Sequence, residues 1–374
     1  MKRGLATLAA CAVLIGMQAC SRGELPPQVP RLGVPPHLLS VFEGGAAAGL
    51  PATRFVGLRP YERARDLEVL LFASRSPVFQ GIVLPGRWAP LLRAWSEPFP
   101  EQGLGEVRPD VVSSLRVPGG LLAVPLTLDG ILLAYRPDLW AQFEIPPPRS
   151  LAALREAALV LRSRARGLDR LIESDVPADQ LFWAVAWSYE GRSSGELYSY
   201  PKVHALRFIQ EFGLVPEAAG PTGEDLFSQG RCAALFCTAE AARRLARAGG
   251  GGGPPVRIAR VPGLHERSHC IYNGWCLARP SLASPETSGW ARMASPDYQG
   301  YLASRGYTPV MKRGQPSRDE VAAAFGGTVF HGAPDLGPAG DEVVLGAVLD
   351  ASRGPMTAEA ALRRAQARLG GGAR

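Results

Sequence analysis

Hydrophobic and polar positions follow two periods along this chain. Over residues 151–164, Leu151, Leu154, Ala158 and Leu161 recur at three- and four-residue spacing with charges between them, which predicts an amphipathic helix with Ser150 as its N-cap. The same period predicts helices over 203–212 and 357–369. Short unbroken apolar runs predict buried strands instead, over 121–126, 130–135 and, preceded by charge, 66–72. Residues 257–261 form a weaker strand candidate with two β-branched side chains. Ahead of Asp66 there is room for one helix, 36–42, and one strand, 54–58, and the run Gly249 to Gly253 reads as a flexible loop. Helix and strand signals alternate without an internal repeat, which argues an α/β fold. The chain from Cys20 onward is longer than one hydrophobic core usually holds, so two lobes are expected.

The longest uncharged run lies at the front. Lys2 and Arg3 precede 13 apolar, small or uncharged residues, 5–17, the charged and apolar regions of a secretory signal. That run is too short to span a hydrocarbon core, which takes about 20 helical residues. It ends in Gln18-Ala19-Cys20-Ser21, and a small residue directly before a cysteine resembles the lipobox of bacterial lipoproteins. The resemblance implies a signal peptide over 1–19, a lipid (palmitate-type) anchor on Cys20, and a tether over 20–36 that is rich in Pro and Gly. The expected location is the cell envelope, attached to a bacterial membrane and facing the periplasm or the outside. Ordinary cleavage near Ala19, leaving Cys20 a free thiol, is the other reading.

Charge changes this picture little. The formal net charge of +7 falls to +5 without Lys2 and Arg3, and the arginines are spread, so only weak attraction to anionic surfaces is expected and no nucleic-acid partner. Beyond Cys11 and Cys20 the chain carries Cys232, Cys237, Cys270 and Cys276. One or two disulfides in an oxidising compartment and buried free thiols are both open.

Four stretches carry a family likeness in order along the chain. They are GGLLAVPLTLDGILLAYRPDLWAQFEIPPPRSLAAL (119–154), ALRFIQEFGLVP (205–216), LFSQGRCAALFC (226–237), and 257–310 with RIARVPG, YNGWCLARPS and SPETSGWARMASPDYQGYLASRGYTPV. Together they resemble the extracellular solute-binding proteins of ABC importers, in the sugar-binding group that includes maltose-binding protein; MTAEAALRRAQARL is similar to the closing helix of that group. The resemblance implies a two-lobe periplasmic-binding-protein-like fold with an interlobe cleft and hinge crossings. The lobes would be 37–123 plus 264–305 and 124–263 plus 306–374. A small solute, expected to be a carbohydrate, would close the cleft by hinge motion and pass to an ABC permease. No catalysis, no cofactor and a monomeric state are expected. The chain departs from the family between Cys20 and Asp66, where the first strand, a ligand-touching loop and a long helix usually lie.

Sugar sites combine aromatic faces with carboxylates or amides. Asp129, between two apolar strands, is the leading polar candidate, although Asp129-Gly130 is also a turn signal. Trp275 after Asn273-Gly274 is the leading aromatic, with core packing as its alternative. Trp183 and Trp187 share one helical face by their spacing, so at least one is expected in the core. Trp88 and Tyr307 complete the candidates. Two enzyme motifs compete with this reading. His265-Glu266-Arg267-Ser268-His269 matches H-E-x-x-H, which needs a stable helix and a third ligand to make a zinc peptidase, but Pro262-Gly263 and Asn273-Gly274 leave barely two turns. Gly191-Arg192-Ser193-Ser194-Gly195 matches G-x-S-x-G without the helix that should follow it. A third reading is an envelope interaction lipoprotein of the same fold that has lost its ligand.

Overall fold

The computed structural model describes residues 29–45, 53–58, 71–72, 78–101, 103–191, 196–215, 220–264, 267–281, 285–312, 319–334, 336 and 340–371. The strands are β1 (Arg31–Val34), β2 (Arg54–Gly57), β3 (Gly81–Pro85), β4 (Arg116–Val117), β5 (Gly120–Leu121), β6 (Ala123–Pro125), β7 (Ile131–Tyr135), β8 (Arg170–Ser174), β9 (Cys232–Thr238), β10 (Arg257–Arg260), β11 (Ser268–Ile271), β12 (Trp275–Ala278) and β13 (Thr328–His331). The α-helices are α1 (Leu39–Gly45), α2 (Pro109–Leu115), α3 (Pro137–Gln142), α4 (Leu151–Arg164), α5 (Ala178–Glu190), α6 (Tyr200–Phe212), α7 (Gly223–Ser228), α8 (Ala239–Gly250), α9 (Pro296–Ser304), α10 (Glu320–Phe325), α11 (Gly340–Arg353) and α12 (Ala358–Gly371).

Most of the strands sort into two sheets, which gives the α/β two-lobe architecture. One sheet has the order β2-β1-β3-β12-β6 and the other β10-β7-β9-β8. In the first, β1 runs parallel to β2 and β3, while β12 runs antiparallel to β3 and β6. In the second, β7 is antiparallel to β9 and β10, and β8 is parallel to β9. Residues 81–84 of β3 and 232–237 of β9 are buried without alternation, the signature of strands covered on both faces. The chain passes between the sheets three times: from β6 to β7 through Leu126–Gly130, from β10 through β11 to β12, and after α9 along Tyr307–Val310. β11 pairs in parallel with β13 beside the second pass.

Local signals hold where one segment decides the outcome. Ser150 Oγ accepts a hydrogen bond from Ala153 N at 3.1 Å, the N-cap its position predicts, and Leu151, Leu154, Ala158 and Leu161 are all buried. Several expectations are corrected. Leu71 and Phe72 are helical rather than the end of a strand, and the rest of 66–72 lies outside the described residues. The run 121–126 is broken, Leu121 pairing in the β4–β5 hairpin and Ala123–Pro125 joining the large sheet. Gly249 and Gly250 belong to α8. The tether ends earlier than its composition suggests, because Arg31–Val34 is an inner strand of the first sheet with Leu32 and Val34 fully buried. Four residues between Pro30 and Pro35 are too few to show a period, and it is their two neighbouring strands that make them a strand.

The four cysteines beyond Cys20 are buried and form no disulfide. Cys232 and Cys237 share one strand, and burial pushes the Cys232 and Cys270 thiols up to about 12 and Cys237 higher still. Among the described residues no helix is long and apolar enough to cross a membrane. The signal segment, Cys20, His265 and Glu266 lie outside the described residues, as do Arg192 to Gly195.

Candidate functional site

Parallel strands collect their carboxyl ends on one side of a sheet, where helices and loops must start, and open α/β sheets hold ligands there. In the first sheet that side carries the 3-10 turn Pro36–Leu38 after β1, the 3-10 segment Gly86–Leu92 after β3, the first pass after β6, and the start of β12, where Trp275 pairs with Pro85. In the second sheet the corresponding side carries the start of β7 opposite Thr238, the end of β10 opposite Leu132, and the start of α5 after β8. The two sides approach each other electrostatically. Burial raises the Asp179 carboxyl at the start of α5, and Arg87 after β3 opposes that rise while Asp341 adds to it.

Hydrogen bonds tie the three passes side by side. Leu128 N donates to Thr308 O at 2.7 Å, Asn273 N to Asp129 O at 3.1 Å, and Trp275 N to Thr127 Oγ1 at 2.9 Å. Close approach demands glycine at 274, since a Cβ there would sit 1.8 Å from Thr127 O. Asp129 Oδ1 accepts from Gly130 N at 2.8 Å and from Ala239 N, the first residue of α8, at 3.1 Å. Burial pushes the Asp129 carboxyl up to about 6 against those two N–H groups and Arg243. The Oδ1 of Asn273 is buried without a partner among the described residues.

Trp275 is partly buried, and its ring lies 5.4 Å from that of the exposed His37, the planes inclined at 56°. The two rings form an aromatic corner next to Thr127 and Asn273. Trp88 is partly buried at the end of β3, with the Arg87 guanidinium 5.4 Å from its ring centre. Tyr307 is partly buried on the third pass, its hydroxyl raised by burial and by Glu240 against the pull of Arg243. The structure thus brings Asp129, Trp275 and Tyr307 to the passes and Trp88 to a neighbouring strand end. It places Trp183 and Trp187 in the core, which corrects their assignment to a ligand surface. They are 3% and 1% exposed, and their faces are occupied by each other, Phe182 and His331. His37, Asn273 and Arg243 escape sequence reasoning. A lone His beside prolines has no signal of its own, and its value comes from a tryptophan more than 200 positions away.

The zinc-peptidase reading fails on local structure. His269 lies in strand β11, so it cannot follow His265 by one helical turn. Its Nδ1 instead pairs with His331 Nε2 at 2.8 Å in a stacked arrangement, and no group able to hold a metal ion occurs among the described residues. A surface groove of about 470 Å³ runs along the open edge of β8 between the ends of α4 and α6, apart from the passes.

No protein-family model matches the sequence, and no curated protein does either. Solved structures match over nearly the whole chain. The sugar-binding protein MalE from Xanthomonas citri aligns with a TM-score of 0.75 at 18% identity, covering 91% of this chain and 96% of its own. Maltose-bound MalE3 of T. maritima gives 0.70 at 21% identity, covering 92% and 99%. UgpB from Mycobacterium tuberculosis, in complex with glycerophosphocholine, gives 0.68 at 17% identity, covering 92% and 98%. These neighbours are binding proteins, and the chain shares their two-lobe fold.

Proposed function

We propose that this protein is a lipid-anchored receptor that captures a carbohydrate between its lobes and delivers it to an ABC permease, without catalysis. The observation that carries the reading is the aromatic corner of Trp275 and His37 beside the Asp129 carboxyl and Asn273 Oδ1, a buried acceptor without a partner among the described residues, where three passes join two sheets. An aromatic face packs on the apolar side of a pyranose, and acceptor oxygens suit its hydroxyl donors. The fold neighbours that bind maltose or glycerophosphocholine support a small polar solute. The lobes are assigned as 37–123 plus 264–305 and 124–263 plus 306–374, with β1 and the rest of β6 added to the first. Trp88 and Tyr307 are assigned to the rim of the same cleft.

A thermal-shift panel of mono- and oligosaccharides tests the reading. A sugar present at a hundred times its Kd stabilises the native state by about 2.7 kcal/mol, and Trp275→Phe with His37→Ala is expected to weaken that sugar by about tenfold, roughly 1.4 kcal/mol. A panel in which no sugar moves the melting temperature removes the carbohydrate assignment.

The anchor has its own test in the thiols. Cys232, Cys237, Cys270 and Cys276 are buried, and burial raises the first three thiols, so a thiol reagent at pH 8 is expected to find none of the four until the protein is denatured. With Cys20 acylated, the native mature protein shows no reactive thiol. One fast-reacting thiol there would place Cys20 free and end the anchor proposal.

A further inference from the structure

Arg243 and Arg244 are adjacent and chemically alike, yet the fold gives them different work. Arg244 pairs with Glu224 on α7 and with Glu240 one turn earlier on α8, both in the second lobe. Arg243 is largely buried and reaches from the helix to the third pass: its Nη2 donates to Thr308 Oγ1 there, and its Nε and Nη2 face Asp319 Oδ2 at 3.3 and 3.4 Å. One turn earlier on the same helix, Ala239 N donates to Asp129 Oδ1 on the first pass.

α8 therefore holds the first pass at its N-terminal end, through the Ala239 N–H, and the third pass one turn on, through the Arg243 side chain, and those passes are themselves joined through Leu128 N and Thr308 O. The second pass is added through Asn273 N and Asp129 O. The helix is a firm part of its own lobe. Thr238 Oγ1 caps it, accepting from Ala241 N, and Ala239, Ala241, Ala242 and Leu245 are buried. A rotation of the second lobe must then carry α8 and drag two passes with it, because both attachments sit on one rigid element.

We infer that α8 is the lever of the hinge, with Arg243 as the positioning residue that couples the third pass to the motion of the second lobe. The inference deepens the receptor reading only in assuming that the lobes move, and its test needs no ligand. Small-angle scattering of the ligand-free protein reports the spread of lobe separations, and amide exchange at Leu128 reports the bond between the passes.

Arg243→Met is expected to increase the ligand-free radius of gyration and to speed exchange at Leu128 by about tenfold, the scale of losing a hydrogen bond to a charged group. Thr308→Val, which removes only the acceptor, should move both readouts the same way, and Arg243→Lys should restore part of the change. Arg244→Met is the control and should move neither. A merely structural role would lower the urea midpoint alike in the Arg243 and Arg244 variants and leave the scattering unchanged. That result overturns the lever, and so does a Thr308→Val protein identical to wild type, which decides the matter if Arg243→Met does not fold. A protein that binds no sugar but shows these shifts would end the carbohydrate reading and leave the lever standing.

Discussion

Lys202→Met is expected to lower the unfolding free energy by about 3–5 kcal/mol, the cost of leaving a buried charge without its partner. Lys202 is fully buried on the first turn of α6, and its Nζ donates to Glu190 Oε1 at 2.7 Å across to the last residue of α5. The same ammonium lies 5.7 Å from the Trp183 ring centre. Ser199 Oγ also donates to Glu190 Oε1, at 2.8 Å, while Glu190 Oε2 is buried with no partner among the described residues. Removing the cation strands a carboxylate that one hydroxyl cannot satisfy. Lys202→Met combined with Glu190→Leu removes both charges and should recover most of the loss. Urea unfolding at constant m-value measures each change. A single variant within about 1 kcal/mol of wild type would mean that water reaches the pair.

The second large effect is hidden in the wild-type protein by a cancellation. Burial, with a smaller push from His269, lowers His331 to about 4 from an ordinary 6.5. The unfolded chain therefore takes up that proton first, and acidification from pH 6.5 to about 4 destabilises the fold through His331. Asp129 has the opposite sign. Burial raises it from an ordinary 3.8 to about 6, so the native state takes up the proton first, and acidification from pH 6 to about 4 stabilises the fold. Each contribution is about 2 kcal/mol after allowing for partial exposure.

Relative to wild type, His331→Phe should therefore gain stability between pH 6.5 and 4, and Asp129→Asn should lose it. Urea midpoints at pH 7, 6, 5 and 4 separate the three proteins. Parallel profiles for all three would refute both assignments. The histidine pair also bears on architecture, since β11 and β13 line the second pass and Trp187 packs edge-on against His331.

Much of the second lobe is legible along the chain because its elements are long enough to show a period. Ser150 and the apolar face of α4 announce themselves, as do α6 and α12. β1 does not, being four residues whose identity comes from β2 and β3 on either side. Trp183 and Trp187 show the limit within a helix. Their spacing puts them on one face, but α5 is buried nearly all round, so spacing alone could not say whether that face met a ligand or the core. His269 shows the limit of a motif. Its letters fit a metal helix, and pairing with β13 makes it a strand.

Taken alone, the amino-acid order determined the export-like front, the alternation of helix and strand, and the position of Asp129 between two apolar strands. Those features depend on residues within a few positions of one another, where hydrophobic period, capping and turn chemistry act. Tertiary structure decided the rest. It joined His37 to Trp275 and Arg243 to Thr308, gave neighbouring arginines separate roles, and kept four buried thiols out of disulfides. Each of those outcomes depends on which distant segments the two sheets bring into contact, and that is settled by burial and strand pairing across the whole chain.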